Sequence, residues 1–170
     1  MALPRKLKNF VLFNDGNAYI GEVPSVTLPK LTRKMEDYRA GGMTAPVKSD
    51  MGMEGLEMSW TSAGYIRTLL GQWGAKTVDA IGLRFAGALQ ADDDAAVHSV
   101  EVVVRGRHSE IDFGDAKAGE DTEIKVSSAL SYYRLSIDGT TVIEIDVVNM
   151  IENVNGVDLM ADIRAAIGLA

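Results

Sequence analysis

The chain has 170 residues, of which 46% are hydrophobic, and carries a formal net charge of −7. Its length and apolar content predict one globular domain over residues 1–170 with a sizeable core. Its acidic balance, 24 Asp and Glu against 17 Lys and Arg, disfavours tight nucleic-acid binding, because phosphate neutralisation needs clustered cations. The lack of cysteine excludes disulfides, thiolate nucleophiles and cysteine-ligated metals.

Charge is distributed unevenly along the chain. Residues 1–90 have a net charge of +3 and residues 91–170 a net charge of −10. Opposite charge on two faces would favour head-to-tail self-association, and the alternative is surface charge that only keeps a monomer soluble. The basic start is followed by Asn14-Asp15-Gly16 too early for a signal peptide or spanning helix, so we expect neither secretion by that route nor a membrane span.

Alternating apolar and polar residues predict a mainly antiparallel β protein of about eight strands. The segments 10–20 and 124–148 are predicted hairpins around Asp15-Gly16 and Asp138-Gly139, because type I′ turns favour Asp-Gly. Further strands are predicted at 22–34, 56–61, 83–90 and 97–107, and the last two pair through an acidic turn. Pro24 and Pro29 place the 22–34 strand at a sheet edge, or bend it there, since proline donates no ladder hydrogen bond.

Two helices are predicted from apolar residues at helical spacing. The first, Tyr65–Trp73, would cover an open end or face of the sheet. The second, Leu159–Ile167, ends at Gly168 and would dock on its own domain or on a neighbour. The predicted fold is therefore an antiparallel β-sandwich or barrel with one packed helix and a short C-terminal helix.

Residues 39–54 form the least regular segment of the chain. The segment has no periodicity, yet it holds three glycines and three methionines. A structureless loop of this length is uncommon inside a domain and is usually functional or disordered. Exposed thioethers suit adaptable protein contacts, so we predict an arm that another protein completes. The alternative is a loop that folds back over its own sandwich.

His108 and the nearby carboxylates Glu110, Asp112 and Asp115 are the candidates for a metal or acid-base site. No second histidine follows at helical spacing, and the sequence has no nucleophile elbow, phosphate-binding glycine loop or dinucleotide motif. We therefore expect no enzyme activity, no metal and no cofactor. A hydrolase centred on His108 and a barrel that binds a small apolar ligand are the alternatives.

Six blocks of sequence, spread over nearly the whole chain, occur in the order of one known family. The longest is PSVTLPKLTRKMEDYRAGGMTAPVKSDMGMEGLEM, from Pro24 to Met58. The others are PRKL (4–7), VRGR (104–107), KAGEDTE (117–123), SYYRLSIDG (131–139) and EIDVVNMIENVNGVD (144–158). Together they resemble the major tail tube proteins of contractile-tailed phages and the related R-type pyocins.

The resemblance implies a structural protein with the tail tube fold. Subunits of that family form hexameric rings that stack head-to-tail into the inner tube of the tail, and strands of neighbouring subunits close into one barrel around the channel. The implied partners are further copies of the chain, the sheath, tape measure, baseplate hub and tail terminator proteins, and double-stranded DNA that passes without specific binding. The implied location is the virion tail, assembled in the cytoplasm of the bacterial host. The tube of a type VI secretion system, or of a pyocin without a genome, is the alternative.

The resemblance also assigns roles to residues. The 39–54 segment becomes the candidate for stacking contacts, with its methionines inserted into an adjoining ring or subunit and its paired glycines permitting a bend. The candidate contact residues are Arg39, Gly41, Gly42, Met43, Pro46, Met51 and Met53. Polar faces of the inner strands would line the channel, and the candidates are Glu57, Ser59, Thr61, Arg84, Glu101 and Arg105. A lumen of acidic or mixed charge would let DNA slide.

Overall fold

The computed structural model describes residues 1–169, and within them the chain forms twelve strands and two short helices. The strands are β1 Lys6–Asn14, β2 Asn17–Ala18, β3 Ser25–Thr27, β4 Arg33–Tyr38, β5 Val47–Met53, β6 Leu56–Ser62, β7 Ile81–Gln90, β8 Val97–Asp112, β9 Ile124–Ile137, β10 Thr140–Asp146, β11 Ile151–Val154 and β12 Val157–Asp158. The helices are α1 Arg67–Leu70 and α2 Ala161–Ala166. The predicted antiparallel β class is confirmed. The strand number exceeds eight because the predicted 22–34 strand is divided into β3 and β4, and because β5, β11 and β12 were not predicted.

Ten of the strands form one branched antiparallel sheet in the order β12-β11-β10-β9-β8-β7-β1-β2. The branch lies at β9, which pairs with β8 along one edge and is shared along the other edge. Its first half, up to Leu130, pairs with β6, and its second half, from Tyr132, pairs with β10. β3 extends the branch by pairing with β6. The flanking Pro24 and Pro29 therefore border an edge strand, as predicted.

Both predicted Asp-Gly hairpins are confirmed. Asp15 and Gly16 have φ of 46° and 86°, and Asp138 and Gly139 have φ of 49° and 78°. Positive φ at both central residues is the type I′ geometry, whose twist matches that of the flanking strands. The turns therefore fix the register of β1 with β2 and of β9 with β10, and with it the face to which each side chain points.

The branched sheet has two lobes, one with β3 and β6 and the other with β1 and β2. The core lies between them. In β6, Leu56, Met58 and Trp60 are buried while the residues between them face outward. The Trp60 ring lies 5.9 Å from the ring of Tyr19, which follows β2, so β6 packs across the interior onto the other lobe. The sheet is open between β2 and β12, and its interior is filled by these side chains. Within residues 1–169, one subunit therefore does not form the closed barrel that the ligand-binding alternative requires.

Both helices are shorter than predicted. α1 keeps one regular turn, with Leu69 fully buried against the core, because Gly71 and Gly74 follow it and glycine is a poor helix former. α2 has no buried residue. Arg164 holds α2 in place, since its guanidinium contacts Asp158 at 2.5 Å and donates to the carbonyl of Met150 at 2.7 Å.

The prediction of an irregular loop over residues 39–54 is wrong for its second part, because residues 47–53 form strand β5. The predicted 22–34 strand is also wrong in extent, since it is interrupted after Thr27 and resumes as β4. β4 and β5 pair only with each other and form a separate two-stranded sheet. We call residues 33–53 the arm and residues 39–46, the turn between its strands, the tip.

Candidate assembly surfaces

The arm projects from the sheet and exposes large apolar side chains on both of its strands. The exposed residues are Met35, Tyr38, Val47 and Met51, at 49%, 58%, 52% and 57% of their full accessibility. Its base is fixed by an ion pair of Arg33 with Glu152 and by a 2.8 Å hydrogen bond from the Glu54 amide to the Thr32 carbonyl. An isolated two-stranded hairpin is only marginally stable in water, so the exposed apolar side chains of this arm call for a packing partner.

The structure distributes the predicted contact residues unevenly along the arm. Arg39 is exposed at the tip, where only Gly42 of the paired glycines has a positive φ, of 87°. Met43 folds back, and its sulfur accepts a 3.2 Å hydrogen bond from the Ala40 amide. Met53 lies at the base and packs against the subunit's own core, so it does not join the exposed methionines. Pro46 is exposed at the end of the tip.

Sequence reasoning missed three of the exposed apolar residues, Met35, Tyr38 and Val47. Each stands next to a charged residue in β4 or β5, but the hairpin is exposed on both faces, so no burial pattern marks its strands. The hairpin could have been recognised from two segments of similar length, residues 33–38 and 47–53, on either side of the Gly-Gly pair.

A charged network covers the outer face of the sheet, opposite the core. Glu101 Oε2 accepts a 2.9 Å hydrogen bond from Arg84 Nη1, and its Oε1 forms an ion pair with Arg134 Nη2 at 3.5 Å. The Arg84 guanidinium also lies 4.1 Å from the centre of the Phe13 ring. Strand register places these residues side by side across β1, β7, β8 and β9. One carboxylate therefore offsets part of the charge of two arginines on this face.

The two predicted groups of channel residues occupy different depressions of the surface. Arg84 and Glu101 line one of them together with Arg134. Glu57 and Ser59 line another, beside Lys30. Thr61 pairs with Ser25 at the edge of the sheet branch, and Arg105 is exposed in β8. All six predicted residues point away from the core, but the structure does not bring them into one site.

His108 lies in a buried polar network instead of a metal site. Its Nδ1 is 2.8 Å from Ser128 Oγ, and its Nε2 is 3.0 Å from Gln72 Oε1. Gln72 also exchanges two 2.7 Å hydrogen bonds with Asn14, so its Oε1 accepts from both neighbours. Nε2 of His108 is therefore the protonated nitrogen, and Nδ1 accepts from the Ser128 hydroxyl.

Burial lowers the pKa of His108 to about 4, although the charge of Asp15 opposes the shift. Glu110 and Asp112 lie outside this network on the exposed end of β8. Within residues 1–169 no group of three or more His, Cys, Asp or Glu side chains is arranged to hold a metal ion. His108 thus joins α1 to the sheet as a neutral hydrogen-bonding residue.

The sequence of the chain matches one known protein family over nearly its whole length. The model of the family "Phage tail tube protein FII" matches residues 4–168. The chain belongs to this tail tube family. It is 49% identical over 172 aligned positions to the tail tube protein of Escherichia phage P2, covering 99% of this chain and all of that one. It is 42% identical to the major tail tube protein of Serratia phage KSP20, covering 99% of each chain.

Solved structures of contractile systems share the fold. A chain of the extended sheath-tube complex of the extracellular contractile injection system PVC superimposes with a TM-score of 0.58 at 9% identity, over 78% of this chain and 91% of that one. A chain of the tube-terminating cap of the anti-feeding prophage gives 0.57 at 12% identity, over 81% and 92%. At such low identity these likenesses bear on the fold alone.

The tail tube family is structural, and its members are components of the virion tail. This chain is thus the tail tube protein of a contractile phage tail or a related particle, as its sequence blocks predicted. None of the helices within residues 1–169 has the length and apolar character that crossing a bilayer requires.

Proposed function

We propose that this tail tube subunit forms hexameric rings that stack head-to-tail through the arm into a hollow conduit for DNA during ejection. The observation that carries this proposal is the arm itself, which exposes four large apolar residues and forms a sheet separate from the rest of its subunit. Apolar surface of this kind is characteristic of an interface. Contacts between unlike surfaces repeat without closing, which is what an open stack of rings requires.

The open edges of the sheet support ring formation. β2 and β12 end the main path of the sheet, and β3 ends its branch. Unpaired strand edges are prone to uncontrolled association unless a neighbour covers them. In the proposed ring, strands of adjacent subunits cover these edges and close one barrel around the channel. The exposed apolar stripe of α2, formed by Leu159, Ile163 and Ile167, together with the N-terminal residues, would provide secondary contacts between subunits.

The channel wall in this proposal is the outer face that carries Arg84, Glu101 and Arg134. Glu101 neutralises both arginines in part, so DNA phosphates would meet a polar surface without a strong net attraction. The wall would include Arg105 and, on the other lobe, Glu57, Ser59 and Thr61. The tube would lie within the sheath, enclose the tape measure protein before ejection, and end at the baseplate hub and the tail terminator.

The decisive experiment removes the tip and keeps the hairpin. Residues 39–46 are replaced by Asn-Gly, which closes β4 and β5 with a type I′ turn. We expect a folded subunit that forms rings but no tubes in negative-stain electron microscopy, because the replacement removes the proposed contact residues Arg39, Gly42 and Pro46 and no core residue. A matched control replaces Asp92-Asp93-Asp94, the tip of the β7–β8 hairpin, with three asparagines and should assemble normally. Long tubes from the tip-replaced variant would refute the role of the tip.

A second experiment tests the channel wall. Glu101→Gln leaves two arginines without their carboxylate, so tubes of this variant should retain double-stranded DNA more strongly at low salt than wild-type tubes do. Glu22→Gln, which removes an exposed carboxylate that makes no ion pair within residues 1–169, is the matched control. Equal DNA retention by Glu101→Gln and wild-type tubes would place the charged network outside the channel.

A further inference from the structure

An apolar depression lies where α1 meets the end of β8. It has a volume of about 390 Å³ and is lined by Leu70, Trp73, Ile111 and Phe113. Trp73 and Phe113 are 58% and 47% exposed, and the Phe113 ring stacks on that of Tyr65 at 6.0 Å. We call these four lining residues the socket. Aromatic rings exposed together in a concave site are typical of anchor points in protein interfaces.

The socket and the arm lie at opposite ends of β6. The arm enters β6 at Leu56, whereas α1 follows its far end at Ser62. Strand register places Ser62 beside Ile124 of β9, and Lys125 in turn beside Asp112 at the end of β8. The seven residues of β6 span about 20 Å. A subunit thus carries a projecting apolar surface at one end and a receiving one at the other, which is the arrangement that head-to-tail stacking needs.

The tip of the arm and the loop that follows the socket carry opposite charges. Residues 38–48, the tip with its flanking residues, carry Arg39 and Lys48 and no carboxylate, a net charge of +2. Residues 112–123, which continue from the socket and which we call the acidic loop, carry five carboxylates and one lysine, a net charge of −4. Lys48 contacts Asp37 at 3.0 Å, whereas Arg39 makes no ion pair within residues 1–169. Complementary charge of this kind orients partners and suppresses wrong pairings.

We infer that the socket receives the arm of a second copy of this chain from the adjoining ring, with apolar arm residues against Trp73 and Phe113 and Arg39 facing the acidic loop. Methionine suits this site, since thioethers pack favourably against aromatic ring edges. The inference rests on the proposed stacking function and adds the surface that accepts the arm. In this contact, the basic tip from the first half of the sequence meets the acidic loop from the second half.

Cysteine cross-linking tests the contact directly, because the chain has no native cysteine. Thr44→Cys in the tip is combined with Asp115→Cys in the acidic loop, which leaves the apolar socket intact. After assembly and mild oxidation, we expect non-reducing electrophoresis to show a ladder of covalent multimers that continues beyond one ring. The matched control combines Thr44→Cys with Val97→Cys, an exposed position at the other end of β8, and should stay monomeric.

Each outcome of the cross-linking has a distinct meaning. No ladder from tubes of the Thr44→Cys, Asp115→Cys variant would overturn the socket. A ladder that stops at a closed ring would overturn its position between rings. The stacking function itself is judged separately by the tip-replaced variant. If that variant fails to form tubes while no ladder appears in tubes of the cysteine variant, the arm stacks elsewhere and only the socket is wrong.

The fluorescence of Trp73 provides an independent readout. The chain has two tryptophans, and Trp60→Phe leaves Trp73 as the only one. Because Trp60 Nε1 makes no hydrogen bond within residues 1–169, this substitution breaks none. We expect Trp73 emission to shift to shorter wavelength and acrylamide quenching to fall severalfold when subunits assemble into tubes. Emission and quenching that do not change on assembly would refute the inference.

Discussion

The arm exposes apolar side chains to solvent, whereas the hydrogen-bonded network next to α1 buries polar ones. The arm exposes Met35 and Met51, whereas the network encloses His108 and Asn14. The network is complete within one subunit, because each buried polar group has a partner there. The arm is incomplete, because its apolar surface has none. The core therefore has its packing partners within one subunit, whereas the proposed stacking would supply those of the arm.

The two tryptophans give the largest expected difference between an enclosed and an exposed site. Trp60 is 2% exposed and Trp73 is 58% exposed. Trp60→Ala should lower the free energy of unfolding by about 3–5 kcal/mol, because it opens a cavity between the sheet lobes. Trp73→Ala should change it by no more than about 0.5 kcal/mol. Urea denaturation of the unassembled subunit measures both, and similar losses would mean that the socket belongs to the core.

Much of the core could be predicted from sequence, because burial there imposes a pattern. Leu56, Met58 and Trp60 alternate with polar residues, and both Asp-Gly pairs mark their turns. The arm could not be predicted as a hairpin, since β5 is exposed on both faces and its residues show no alternation. His108 was grouped with the carboxylates that follow it in sequence. It shares the inward phase of Val102 and Val104, a signal that could have placed it in the core.

The candidate assembly residues could be predicted less well, because their neighbours depend on register and branching. The contacts of Glu101 with Arg84 and Arg134 require β8 to lie between β7 and β9. The separation of Glu57 from Glu101 follows from the branch at β9, which no local pattern indicates. Similarly, the socket joins residues 40 positions apart, from Trp73 to Phe113, that only the fold brings together.

Acidification should weaken the polar network before it affects the surface ion pairs. The pKa of His108 is about 4 in the folded subunit against an ordinary value of 6.5. The unfolded chain therefore binds the proton first, so this stabilisation is complete above about pH 6.5 and is lost as the pH falls from 6.5 to about 4. We expect a loss of about 2–3 kcal/mol between pH 7 and pH 4 in the unassembled subunit.

His108→Gln is the matched variant, because glutamine can donate and accept hydrogen bonds but does not titrate. Its urea stability should depend less on pH in this window. Hydrogen bonds from His98 and Arg164 hold the pKa values of Asp138 and Asp158 below the ordinary 3.8, so their contributions are lost only at lower pH. If wild type and variant show the same pH dependence, His108 is not kept neutral by the network.

The backbone is closely packed at a glycine of the core and open at a glycine of the arm. A Cβ at Gly106 in β8 would lie 2.1 Å from the carbonyl oxygen of Ala129, whereas a Cβ at Gly41 in the tip would have no atom within 4 Å. Gly106→Ala should destabilise the subunit by about 1–3 kcal/mol, because β8 and β9 must separate. Gly41→Ala should be within about 0.5 kcal/mol of wild type. Thermal unfolding of both variants checks this, and a tolerated Gly106→Ala would mean that the strands adjust freely.

The smallest effect on stability should accompany a large effect on assembly. Met35→Ser combined with Met51→Ser removes two exposed apolar side chains of the arm, so the free energy of unfolding should change by no more than about 0.5 kcal/mol. The protein concentration required for tube formation should nevertheless rise at least about tenfold, since an interface contact worth 1.4 kcal/mol changes an association constant by that factor. Sedimentation of assembled tubes measures the threshold.

Val97→Ser with Val148→Ser, two exposed apolar residues outside the arm, is the control. If the methionine variant assembles at the wild-type threshold, the exposed apolar surface of the arm does not drive stacking, and the tip would then have to act through Arg39 and its backbone alone.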